Sequence, residues 1–187
     1  MGFTREELET FRGATVPDLI ADDCKLLFVG INPGLWTAAT QTHFCHPSNR
    51  FYPALRAAGL IPWSVDTDNG MTDEQRKSLT ASGIGITNLV RRATARASEL
   101  GREELIEGGE RLSLLVGELR PRVAAVAGVT AYRFAFGERS ASLGKQDSDL
   151  GPAELWVVPN PSGLNAHETV DSLAGWYARV ATAAGIT

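Results

Sequence analysis

The chain has 187 residues, 43% of them hydrophobic and 21% charged, which fits one globular domain with a sizeable core and leaves little room for a second. A formal net charge of −4 argues against holding polyanions through overall charge, so any nucleic-acid contact must be local. No apolar run nears the ~18 residues of a membrane span, the start from Met1 to Glu7 lacks a signal-peptide core, and two cysteines without a CxxC cannot build a disulfide framework. A cytoplasmic protein is expected.

Thr4, three residues before Glu7, suggests a capping box opening a short helix over residues 4 to 12, and residues 1–22 read as that helix and a lead-in. Leu26 to Gly30 is an unbroken apolar run, the pattern of a strand buried on both faces. It stops at Ile31-Asn32-Pro33-Gly34, where proline cannot donate to a ladder and Asn32 brings a neutral amide to the strand's carboxyl end. In open α/β sheets ligands bind at that end. Residues 35–47 show no periodicity but carry Trp36, His43, Phe44 and His46, and read as a loop rich in chemistry.

Ser48-Asn49 suits the cap of a helix from Arg50 to Ala58, and a second short helix is expected from Thr72 to Ala81. Residues 83–90 read as a strand followed by Arg91, Arg92 and Arg96, the densest positive cluster in the chain. A helical pattern from Ser98 to Leu119 is interrupted at Gly108-Gly109 and stopped by Pro121. Residues 122–128 give a third strand, a short helix runs through Tyr132 and Phe136, and residues 137–151 read as a loop. A fourth strand over residues 154–158 runs into Pro159-Asn160-Pro161-Ser162-Gly163-Leu164-Asn165, and a last helix covers about Glu168 to Ala184. The alternation predicts an α/β chain of one domain, residues 1–187: a three-layer α/β/α sandwich on a short, mainly parallel four-stranded sheet. An Asn-Pro follows an apolar run at two strand ends, and two such turns at one sheet edge would face each other across a cleft.

Five stretches in order resemble the mismatch-specific uracil and thymine DNA glycosylases of the uracil-DNA glycosylase superfamily. They are Gly30-Ile31-Asn32-Pro33-Gly34-Leu35, His46-Pro47-Ser48-Asn49-Arg50-Phe51, Gly85-Ile86-Thr87-Asn88-Leu89-Val90, Gly144-Lys145-Gln146 and Pro159-Asn160-Pro161-Ser162-Gly163-Leu164. The resemblance implies a monomeric, monofunctional enzyme of base-excision repair that hydrolyses the N-glycosidic bond of uracil, preferably in G:U mismatches of double-stranded DNA, with thymine and other modified bases as further candidate substrates. It implies no metal and no cofactor. By the same resemblance Asn32 is the catalytic position, and Gly30, Ile31, Thr37, Phe44 and Asn88 form the base pocket. Gly163, Leu164 and Asn165 then form the wedge and meet the opposite strand. Apart from the resemblance, Arg91, Asn160, Ser162 and His167 are candidates for phosphate contacts.

The chemistry agrees with the residue types. A base inside a duplex is unreachable, so such an enzyme extrudes it and fills the gap, for which an apolar Leu164 on a Gly-Leu-Asn turn is suited. Stacking on Phe44 contributes roughly 1–3 kcal/mol without choosing among bases, so hydrogen bonds must choose. An amide orients water but is a poor general base, which predicts slow chemistry on good leaving groups. Each residue has a plainer reading: Asn32 satisfying its own turn, Phe44 as core, Leu164 folded back. Some relatives carry lysine at the Asn88 position and arginine near Ala166, and their absence here hints at broader uracil activity. His43, Cys45 and His46 fall short of a four-ligand zinc site, and none of the lysines sits in a Schiff-base motif, so strand cleavage is not expected. The remaining alternatives are a general or broad-specificity glycosylase for uracil and other deaminated bases, and a non-catalytic nucleic-acid-binding α/β module.

Overall fold

In the computed structural model, which describes residues 2–186, the run Leu26–Gly30 forms strand β1 at the centre of the molecule. Its side chains alternate between two cores: Leu26 and Phe28 pack with Phe51, Leu79 and Tyr177, whereas Leu27 and Val29 pack with Leu112, Val116 and Tyr132. Burial on both faces is the physical reason for an unbroken apolar strand, each large side chain contributing about 1.5–3 kcal/mol. The expected domain's end residues, Met1 and Thr187, lie outside the described residues.

Around β1 the sheet runs β2-β1-β3-β5-β4, with β2 at Ile84–Asn88, β3 at Val123–Ala127, β4 at Gly144–Lys145 and β5 at Glu154–Val158. Four strands are parallel, and Gly30 pairs in register with Asn88, so the carboxyl ends of β1 and β2 finish level. The strand order turns around between β1 and β3, the crevice where an α/β sheet takes its ligand. Helices α3 (Phe51–Ala57), α4 (Asp73–Ala81) and α7 (Val170–Ala183) supply one face; α5 (Arg102–Leu119) and α6 (Val129–Phe136) supply the other. Helix α1 (Arg5–Glu9) is closed by the Thr4–Glu7 capping box. The sandwich is therefore as the sequence predicts.

Three expectations need correction. The sheet has five strands rather than four among the described residues, because Gly144–Lys145, inside the expected loop, pairs antiparallel with Val157 and Trp156. Residues 35–47 are not all loop: Leu35–Thr40 form helix α2, whose buried Leu35 and Ala38 pack with Val16 and Ala93. The helix is too short for periodicity to reveal it, and Gly34 before it provides no side-chain cap. Helix α5 also runs unbroken through Gly108-Gly109, where added Cβ atoms would meet the Leu89 carbonyl oxygen at 2.4 Å and the Ala135 carbonyl oxygen at 2.6 Å. These glycines let the helix lie directly on its neighbours.

That contact sets the sign of a substitution. Gly117, on the same helix, has nothing within 4 Å of its would-be Cβ. In urea denaturation Gly117→Ala is expected to stabilise by about 0.5–1 kcal/mol through helix propensity, and Gly108→Ala to destabilise by about 1–3 kcal/mol through overpacking. Equal stabilisation by both would show that the helix does not rest on these glycines.

Candidate active site

The carboxyl ends of β1 and β2 meet at Gly30. A Cβ there would lie 2.3 Å from Asn88 Oδ1 and 3.0 Å from Phe44 Cζ, so only glycine leaves room for both. Phe44 stacks on the fully buried Phe51 ring, centroids 4.2 Å apart and planes at 27°, while remaining half-buried itself. Its φ of +57°, unfavourable for a bulky side chain by roughly 1–3 kcal/mol, turns the ring into this position. Among the described residues the Phe44 N–H has no partner.

Asn32 follows β1 directly. Its Nδ2 lies 3.0 Å from the Pro33 carbonyl oxygen, 3.0 Å from that of Arg92 and 2.8 Å from Thr94 Oγ1, whose own hydroxyl donates to the Arg96 carbonyl. All three neighbours accept, which fixes the amide's orientation and leaves Oδ1 as the end without a partner among the described residues. The turn satisfies the donor half of Asn32 and frees the acceptor half.

Asn88 is oriented in the same manner. It is buried, and its Nδ2 lies 3.0 Å from Nδ1 of the buried His43, whose Nε2 lies 2.8 Å from the Pro17 carbonyl oxygen. Desolvation of the ring holds the His43 pKa below its ordinary value, against the pull of the Pro17 carbonyl and Asp18. Below these two turns, Gly128 at the end of β3 adopts φ +111°, and a Cβ there would be 3.5 Å from Ile31 and 3.8 Å from Asn160. The two Asn-Pro turns thus approach each other over the end of β3.

The second turn carries Leu164, 92% exposed at its tip, so the leucine does not fold back onto the core. The loop beneath it is tied in several places. Asn160 Oδ1 accepts from the Ser162 N–H, Asn165 Nδ2 donates to the Asn160 carbonyl, and the Leu164 N–H reaches Ser162 Oγ. Arg50 donates through its N–H to the Pro161 carbonyl and through Nη1 to that of Asn165 at 2.9 Å. Gly163 lies against Ser48, where a Cβ would come within 2.7 Å of the Ser48 carbonyl oxygen. Residues 46–51 therefore clamp the turn at residues 160–165.

Other predicted site residues lie further out. Thr37 is buried in α2 and lines an adjoining groove of about 740 Å³ with Gly34, Arg5 and Arg96. Exposed Arg91 reaches Asp18 at 3.5 Å, and His167 is exposed beside Asn165, to whose Oδ1 its N–H donates. Arg92 is bound by both oxygens of Glu104, whose carboxyl it holds down at about 2, so its charge is already engaged. His43, Cys45 and His46 diverge, His46 meeting Ser48, and no group of three metal-ligating side chains comes together among the described residues. A cavity of about 500 Å³ opens on the α3 side of Phe44, but none of Asn32, Asn88 or Asn160 lines it.

The profile described as the Uracil DNA glycosylase superfamily matches residues 17–181. The chain belongs to that superfamily. Membership carries the coarse assignment, a hydrolase that acts on DNA and removes uracil in repair. Among solved structures, the chain resembles the NMR structure of a candidate uracil DNA glycosylase from Methanosarcina acetivorans with a TM-score of 0.60. The two are 20% identical over 91% of this chain and 98% of the other, a likeness that bears on the fold.

The sequence gives no site role to Thr94, which holds Asn32, to His43, named there only as a loop residue short of a zinc site, which holds Asn88, or to Ser48 and Arg50, which hold the Leu164 loop. The last two stand in a motif that was legible, but the contact they make was not.

Acid should act through His43. Its folded pKa is lowered, so the unfolded chain binds more protons, and stability is lost as pH falls from about 6.5 toward the folded value. Urea midpoints measured between pH 7.5 and 5 should fall less for His43→Gln than for the natural chain; equal slopes would contradict the buried neutral ring.

Proposed function

We propose that the chain hydrolyses the N-glycosidic bond of uracil in double-stranded DNA, preferably opposite guanine, as a monomeric and monofunctional glycosylase. Leu164 enters the stack as the nucleotide swings out, and the uracil ring rests on Phe44. Asn88 Oδ1 accepts from the base N3–H, and the free Phe44 N–H meets a base carbonyl. As the C1′–N1 bond breaks, negative charge develops on the base and positive charge on the sugar. Asn32 Oδ1 orients a water toward C1′. With no carboxylate to take the proton strongly, the reaction is slow and favours bases that leave as stabilised anions.

The observation that carries this reading is the 92% exposed Leu164 on a loop clamped beside the strand-end pocket. A site for a free nucleotide has no use for such a tip. The preference for guanine draws on the same loop: the Gly163 and Leu164 carbonyls have no hydrogen-bond partners among the described residues. They suit the N1–H and N2–H donors of an orphaned guanine, whereas adenine offers an acceptor at its N1. Phosphates are assigned to Arg91, Ser162, Asn160 and His167, with Arg96 added because its guanidinium makes no ion pair among the described residues.

The test is release of base from one oligonucleotide set carrying G:U, A:U, G:T and single-stranded uracil. G:U should be cleaved fastest. Leu164→Ala should slow cleavage in duplex about 10-fold or more and in single strands much less, since the unstacking that a wedge assists amounts to a few kcal/mol. Duplex binding without release of any base would instead support a non-catalytic module. Equal rates on G:U and A:U would support the broader uracil enzyme.

A further inference from the structure

The histidine behind the base pocket carries an inference of its own. We propose that His43 is a positioning residue that fixes which way the Asn88 amide faces, and thereby sets the choice of uracil over cytosine. This rests on the reading above in which Asn88 meets the flipped base.

His43 Nε2 lies 2.8 Å from the Pro17 carbonyl oxygen, which only accepts, so Nε2 carries the ring proton. A neutral imidazole has one such proton, leaving Nδ1 a bare acceptor, and Asn88 Nδ2 at 3.0 Å is its donor. Asn88 Oδ1 therefore points the other way, to the space above Gly30. It accepts no hydrogen bond among the described residues. Nor is it sealed: the one fully enclosed side-chain polar atom without a partner among them is the Tyr177 hydroxyl.

An outward carbonyl oxygen discriminates at N3. Uracil has N–H at that atom, whereas cytosine has a lone pair that would oppose Oδ1. A turned amide would reverse the preference by offering N–H to cytosine. Asparagine's two ends have nearly the same shape, so packing does not prevent that turn, and the lone pair of His43 Nδ1 does. Burial keeps the ring neutral at pH 7, Asp18 drawing it toward the charged form and Arg76 away from it. The Asn88 main chain is held independently, its carbonyl accepting from Arg111.

The experiment compares the natural chain with His43→Leu, His43→Gln and Asn88→Ala in single-turnover release of uracil and of cytosine. Each base is placed opposite thymine so that neither is Watson–Crick paired. His43→Leu removes the acceptor, and the uracil-to-cytosine rate ratio should fall about 10-fold, the effect of ~1.4 kcal/mol. Glutamine can donate to the Pro17 carbonyl and accept from Asn88, so His43→Gln should stay within about 3-fold of the natural ratio. Where His43→Leu does not fold, His43→Phe, which keeps a ring but offers no acceptor, takes its place and should lower the ratio in the same way. An unchanged ratio in the apolar variant, or equal loss in it and in His43→Gln, overturns the inference. If Asn88→Ala leaves uracil release unchanged, the underlying reading of Asn88 fails. If it lowers release while the His43 variants keep the ratio, only the role of His43 fails.

Discussion

Gly30 ends the central strand without a side chain, and the space its Cβ would fill is taken by the Asn88 amide oxygen and the rim of the Phe44 ring. A side chain there would push the Phe44 ring and the Asn88 amide off the strand end together. The level finish of β1 and β2 then sets Asn32 and Asn88 on neighbouring strand ends, one just beyond Gly30 and one opposite it. Phe44 reaches the same place from a separate segment, through a left-handed backbone turn held in place by the stack on Phe51.

The two amides are set before any substrate arrives. Asn32 spends its N–H groups on main-chain carbonyls and Thr94, and Asn88 spends one on His43. Each is left presenting an acceptor, and neither must reorganise to do so. Such preorganisation is how fixed dipoles contribute more in an enclosed site than in water. The loop bearing Leu164 follows the same rule by other means. An isolated exposed leucine would lose its geometry to loop motion, but Arg50 and Ser48 hold the turn from a different part of the chain. These groups gather at the carboxyl edge of the sheet.

Much of this was legible in the sequence because it rests on local rules. The buried strand, the Thr4–Glu7 capping box and the Asn-Pro turns each declare themselves within a few residues. Helix α2 and the two-residue β4 did not, since neither is long enough to show a period. Partners were hidden for a different reason: Asn32 meets Thr94 across 62 positions, and Arg50 meets Asn165 across 115. Composition announces an arginine, but only the fold shows that Arg92 is engaged by Glu104 while Arg50 braces a loop. The two readings of Asn32, turn residue or catalytic group, proved compatible because an amide has two ends.

The most direct measurement is single-turnover release of uracil from a G:U duplex by the natural chain and by Asn32→Ala, with duplex affinity measured on the same preparations. The account predicts that release falls about 100-fold, the lower part of the range for a positioned group acting on the reacting water, while affinity changes little. Release at the natural rate by Asn32→Ala would contradict it and return Asn32 to the role of a turn residue.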